Sequence, residues 1–265
     1  MLFAANDNRY LYTRSPLVEV ICQLRFPTIL SIGAKEPADF QEAIRSAYPQ
    51  FAARQEYPLP KLTGAGTANP SVQQPPPVVN YHFLSQDGKW KINLTNSFIA
   101  LSTVGYRQWE EFAQQLDFVL AQFIRVYQPA YFQRIGLRYL NAFSRKALGM
   151  EDMLWDDLIT SPYIGVLGEP DVDESVVSKC SLDVESALKD GCHLKLHAGP
   201  GMLKRGGQAQ QGETRFILDG DFSVTGNLSG DQVPARLEAL HGWAVRLFQG
   251  AITRELHDAM GPLPL

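Results

Sequence analysis

The sequence predicts an α+β fold: an antiparallel sheet of about eight strands, as an open saddle or a barrel, with two long helices packed on one face. Three observations predict it. Several segments alternate apolar and polar residues with a period of two, the mark of a half-buried strand. Two stretches, 107–127 and 234–260, carry apolar side chains at helical spacing. The order strand, helix, three strands, helix occurs twice, as a duplicated β-α-β-β-β-α unit over 14–128 and 130–261, within a single domain spanning 1–265.

Residues 17–26 open the first unit. Val18, Val20, Cys22, Leu24 and Phe26 fall on one face, and Glu19, Gln23 and Arg25 on the other, with Ile21 as the exception; Pro27 stops the strand. Glu36 and Pro37 suit the first turn of a helix whose apolar stripe is Phe40, Ile44, Ala47 and Tyr48, ended by Pro49. From Tyr57 to Pro77 a run of prolines with Gly64 and Gly66 gives an irregular surface loop. Three strands follow, 78–86, 89–95 and 98–104, joined by the turn pairs Asp87-Gly88 and Asn96-Ser97. Trp109, Phe112, Leu116, Val119, Leu120, Phe123 and Tyr127 then form the stripe of the first long helix, which Gln128-Pro129 closes.

The order restarts with a strand over 131–143 and a short helix around 150–159. Strands 176–186, 192–198 and 214–225 follow, the last two separated by a glycine-rich hairpin connection, 199–212. The final helix, 234–260, has Leu237, Leu240, Ala244, Leu247, Phe248, Ala251 and Ile252 as its stripe, and Gly261-Pro262 stops it. Leu24-Arg25-Phe26 corresponds to Leu137-Arg138-Tyr139, and Lys89, Lys91 and Asn93 to His193, Lys195 and His197.

Bulk composition narrows the function classes. A formal net charge of -4 and a pI of about 5.8 argue against broad capture of nucleic acid or an anionic membrane. Apolar runs are too short for a membrane-spanning helix, and the first residues lack a secretory pattern. Three cysteines, Cys22, Cys180 and Cys192, fit a reducing compartment rather than a disulfide framework. The expectation is a soluble, cytoplasmic protein.

Burying the two helical stripes against the apolar strand faces gathers the charged residues on the opposite face. Its basic members are Arg25, Arg134, Arg138, Lys89, Lys91 and Lys195, joined by His193 and His197. Its acidic members are Glu19, Asp183, Glu185, Asp219 and Asp221. Arginines and lysines converging in this way suit a phosphate or polyanion ligand. Asp183, Glu185, Asp219 and Asp221 are the weaker alternative, a magnesium site. The plainer reading is cross-strand charge pairing on a solvated sheet. If strands 176–186, 192–198 and 214–225 are neighbours, the middle one carries His and Lys between two acidic strands.

Other constellations carry less. His193 and His197 are four residues apart on a strand, about 13 Å, too far to share a zinc ion. Cys22 and Cys180 fall on apolar faces, where cysteine is an inert small hydrophobe. His82, His241 and His257 stand alone and read as structural. No P-loop and no Gly-x-Ser-x-Gly elbow occurs. The acidic stretch from Glu151 to Glu174 reads as a solvated helix and loop.

Three pieces carry a family resemblance: Pro16-Leu17-Val18-Glu19-Val20 running to Leu24-Arg25-Phe26, then Arg134-Ile135-Gly136-Leu137-Arg138-Tyr139-Leu140-Asn141, then Phe248 with Ala251-Ile252-Thr253. On these the chain resembles a sporadically distributed bacterial family of similar length. The resemblance implies bacterial origin and scattered inheritance of the kind found in mobile or defence-type gene clusters, and it brings no catalytic residues. The repeated order is also similar to that of the triphosphate tunnel enzymes. Their acidic E-x-E-x-K signature is replaced here by Ile21-x-Gln23-x-Arg25, without either acid. The TATA-binding saddle has a related repeat, but the acidic pI opposes DNA.

The functional expectation is therefore a non-enzymatic binding or regulatory protein, without a cofactor, acting through a partner protein. The alternative is a phosphate-ester or polyphosphate domain using the charged face, with magnesium. A homodimer hiding a strand edge is a third arrangement.

Overall fold

The chain's alternating segments pair into one broad sheet. The computed structural model describes residues 2–5, 8–63, 71–202, 204–205, 208–209 and 213–265. In chain order the elements are β1 (Tyr10–Tyr12), β2 (Leu17–Arg25), α1 (Leu30–Ala34), α2 (Ala38–Ile44), β3 (Gln50–Glu56), β4 (Lys61–Thr63), β5 (Ser71–Gln73), β6 (Val78–Leu84), β7 (Trp90–Leu94), β8 (Phe98–Thr103) and α3 (Trp109–Tyr127). Then come β9 (Phe132–Phe143), α4 (Arg145–Leu148), α5 (Trp155–Leu158), α6 (Ser161–Ile164), β10 (Leu182–Ala187), β11 (Cys192–Gly201), β12 (Lys204–Arg205), β13 (Gln208–Ala209), β14 (Arg215–Leu228), α7 (Val233–Ala251), α8 (Arg254–Ala259) and β15 (Pro262–Pro264).

Nine strands form the main antiparallel sheet in the order β10-β11-β14-β9-β2-β8-β7-β6-β3. It is open, with β10 and β3 as edges, so the barrel alternative is set aside. β2 and β9 pair at its centre. Outward from them lie β8, β7 and β6 on one side and β14, β11 and β10 on the other. One row of paired residues crosses the sheet: His193, Ser223, Gly136, Gln23, Ala100, Asn93 and His82. A half-turn about the midpoint of the Gln23–Gly136 pair places Arg25 on Arg138. The same half-turn places Asn93 on His193, four residues away from the match to His197 expected from the sequence.

Parity decides what the sheet buries. Val20, Cys22 and Leu24 of β2, Ile135 and Leu137 of β9, Leu218 and Phe222 of β14, and Leu194 and Leu196 of β11 share one core with the stripes of α3 and α7. Trp109, Phe112, Leu116, Val119, Leu120 and Phe123 are the buried side chains of α3's long stripe. Close approach of α7 to the sheet needs Gly220: a Cβ there would lie 3.0 Å from Leu247 Cδ2 and 3.0 Å from Phe222 Cε2. Among the described residues no helix is long and apolar enough to cross a membrane.

Several boundaries differ from the sequence reading, each for a local reason. The last helix breaks at Ile252–Thr253, because the Thr253 side chain accepts a bond from the Leu256 amide and starts α8 afresh. The loop expected over 57–77 contains a short ribbon, β4 with β5, while its residues 64–70 lie outside the described set. β3 is a further edge strand, exposed along its whole length and held by its ladder to β6. The segment 176–181 is not strand; a short 3-10 turn, Glu174–Val176, precedes β10, which begins at Leu182. The helix expected over 150–159 is reduced to α5, flanked by α4 and α6. In the 199–212 connection, β11 runs on to Gly201 and β12 pairs with β13; residues 203, 206–207 and 210–212 lie outside the described set. The terminal segments pair as β1 with β15.

Candidate functional site: a charged sheet face and a helix-side cavity

The sheet face opposite the long helices carries nearly all of the expected charged residues. Paired positions run across it as Glu185, Lys195, Asp221, Arg138, Ile21, Ser102 and Lys91. The next row holds Asp183, His197, Asp219 and Leu140. Arg25 and Arg134 stand directly opposite each other on β2 and β9. Two like charges so placed repel unless each finds a partner. Arg134 finds one by donating from Nη2 to both Asp221 oxygens, each at 2.8 Å, and Arg25 donates from Nε to Gln23 Oε1 at 3.0 Å.

On the C-terminal half the cations are matched. Arg138 donates to Asp219 through Nε at 2.7 Å and Nη2 at 2.5 Å. Lys195 donates to Glu185 at 2.6 Å, and His197 Nδ1 lies 2.8 Å from Asp183. The Arg134–Asp221 pair is 22% and 29% exposed, whereas Lys195–Glu185 is 65% and 74% exposed. Only the former is sheltered enough to contribute more than a few tenths of a kcal/mol. A shallow depression of about 340 Å³ lies among these groups, lined by Arg138, Lys195, His197 and the four carboxylates of the magnesium alternative. Those carboxylates each face a base. Among the described residues no three His, Cys, Asp or Glu side chains are grouped to hold a metal.

The N-terminal half differs. Lys91 and Arg54 have no carboxylate partner among the described residues, and neither has Arg25. Between them lies His82, paired across the ladders with Asn93 and Ala52. Its pKa is lowered, first by burial and then by the charges of Lys91 and Arg54, with Glu56 opposing, and its Nε2 has no hydrogen-bond partner. Lys89 departs from expectation: it precedes β7, in the hairpin, with Nζ 3.7 Å from Asp87. His193 is exposed on β11, and among the described residues its side chain has no hydrogen-bond or ion-pair partner.

Sequence reasoning missed a cavity of about 330 Å³ on the helix side of the sheet, between the start of α3 and the middle of α7, roofed by β1. Tyr10, Tyr12, Tyr106, Trp109, Tyr139 and Phe248 line it. His241 stacks on Trp109, with centroids 4.4 Å apart and planes at 8°, and its Nδ1 shares a 2.9 Å hydrogen bond with the Tyr139 hydroxyl. Burial, and then the charge of Arg9, lower the His241 pKa to about 4, so the ring is neutral at pH 7. The Tyr139 hydroxyl is pushed up well above its usual value, chiefly by burial, and Tyr106 to about 12 for the same reason. Arg9 donates to both oxygens of Glu110, at 2.7 and 2.9 Å, and ties the segment preceding β1 to the first turn of α3. The one sequence signal was a histidine set in an otherwise apolar stripe.

Cys22 and Cys192 are buried and Cys180 is half-buried. Burial pushes the thiols of Cys22 and Cys192 up, away from the thiolate form that a nucleophile needs. Compared with protein-family models and with curated proteins, the chain finds no match.

Proposed function

We propose that the protein is a non-enzymatic binding protein that acts through a partner protein, and that the N-terminal half of the charged sheet face receives an acidic segment of that partner. One observation carries this: the asymmetry of charge across the face. Arg134, Arg138, Lys195 and His197 are matched by carboxylates of their own chain, while Lys91, Arg54 and Arg25 are not. Unmatched cations on a rigid sheet steer and orient an anionic partner. The resemblance to a sporadically distributed bacterial family, whose scattered inheritance suits genes carried in mobile or defence-type clusters, supports the same reading. So does a duplicated unit, which gives two equivalent half-faces, one free to diverge towards binding. A phosphate ester or polyphosphate is the alternative ligand, but on the C-terminal half it has to displace carboxylates already in place.

Affinity capture from the producing cells tests this. Wild type and Lys195→Glu are expected to retain one stoichiometric acidic protein that the Lys91→Glu/Arg54→Glu variant loses. No stoichiometric partner, or equal loss in both variants, contradicts it. Elution by inorganic polyphosphate at low micromolar concentration, with no protein retained, favours the alternative.

A further inference from the structure

We infer that the cavity between α3 and α7 is a binding site for a small aromatic monocarboxylate. It lies on the opposite side of the sheet from the surface assigned to the partner and does not depend on that assignment.

The walls set the body of the ligand. Aromatic rings from β1, β9 and both long helices surround the space, and such rings favour a flat π-system stacked or edge-on against them. At about 330 Å³ the cavity is at the small end of ligand sites, which limits the body to one or two fused rings with a short arm. Charge sets the arm. Arg9 and Arg107 line the cavity and no Asp or Glu does. Arg9 is already committed to Glu110, but Arg107 is exposed and, among the described residues, has no ion-pair partner. α3 begins at the same wall: Gln108, its N-cap, makes no side-chain capping bond, and the first turn carries Glu110, whose carboxylate is held by Arg9. His241 adds a flat, neutral ring to the wall rather than a polar group: it is 7% exposed, stacks on Trp109, and its unpartnered Nε2 is enclosed by protein.

Calorimetric titration of the full chain with 2-naphthylacetate tests the site, with 2-naphthylacetamide and 2-naphthylethylamine as isosteres. The acid is expected to bind saturably, with Kd in the range of about 10–100 µM. The amide should bind about tenfold more weakly and the amine not at all. Arg107→Gln should weaken the acid about tenfold and leave the amide unchanged. Val245→Trp, which fills the cavity from α7, should abolish binding of both while the melting temperature is retained. If Val245→Trp does not fold, displacement of the acid by a second aromatic acid replaces it as the measure of a single site. No saturable binding of the acid below about 1 mM overturns the assignment. Amide or amine binding as tight as the acid, or full binding by Val245→Trp, overturns it equally.

Discussion

The guanidinium of Arg134 lies across the backbone of Gly136 to reach Asp221 on β14. A Cβ at Gly136 would come within 2.8 Å of Arg134 Cζ and closer still to Nη1. Gly136 is thus kept small by its neighbour's path rather than by its own backbone, and Arg134 escapes the like charge of Arg25 opposite it. Gly136→Ala is expected to destabilise by about 1 kcal/mol, because the displaced arginine leaves a half-sheltered carboxylate. In an Arg134→Ala background the same change becomes neutral or stabilising, since alanine restricts the unfolded chain more than glycine. Urea unfolding of the four proteins in the cycle checks this; additive effects count against it.

His241 makes stability depend on pH. Its folded pKa, about 4, lies below the unfolded value near 6.5, so between these pH values the unfolded chain binds a proton that the native chain refuses. Stability is therefore full above pH ~6.5, falls as pH drops through that window and levels off below pH ~4. Arg9 reinforces the shift and Glu110 opposes it. Wild type should lose about 3 kcal/mol more than His241→Gln between pH 7 and pH 4. Denaturant midpoints at the two pH values give the comparison.

Arg9 is expected to act as a strap rather than a stabiliser. Its pair with Glu110 is 33% and 56% exposed, too open to contribute more than about 1 kcal/mol. Arg9→Ala should lower the melting temperature only slightly, while amide exchange across Tyr10–Tyr12 quickens about fivefold. Hydrogen exchange read by mass spectrometry separates this local opening from global unfolding.

Gly220 sets the distance between α7 and β14. Gly220→Val should destabilise by about 1–3 kcal/mol, because the added methyls meet Leu247 and Phe222 at the closest point of helix and sheet. Leu247→Ala in the same chain should restore part of the loss, which thermal unfolding of the two variants would show.

Much of this fold was legible from parity. Val20, Cys22 and Leu24 face the helices while Gln23 and Arg25 face solvent, because strand side chains alternate and only one face is buried. The acidic–basic–acidic order of β10, β11 and β14 was legible too, since Glu185–Lys195 and Asp183–His197 need only adjacent strands. The reach of Arg134 and Arg138 to β14 was not, because it depends on which strand lies beside β9. β3 escaped notice because all of Gln50–Glu56 counts as exposed, with Phe51 resting on Tyr81 and Phe83 near its start, so the segment shows no alternation. The β1–β15 ribbon escaped because its ladder joins the two ends of the chain, as in Tyr10 with Pro264. Trp109 looked like an ordinary member of a core stripe, and His241 like a lone structural histidine. That they border a cavity depends on how far apart two helices pack, which periodicity does not encode.

The charge asymmetry of the sheet face is tested most directly by titrating the isotope-labelled protein with an octaglutamate peptide at low salt and following backbone amide shifts. Perturbations should concentrate on β3, β6 and β7 around Arg54, His82 and Lys91, and disappear in Lys91→Glu/Arg54→Glu. Shifts centred instead on Lys195, Arg138 and His197, or none at millimolar peptide, would contradict it.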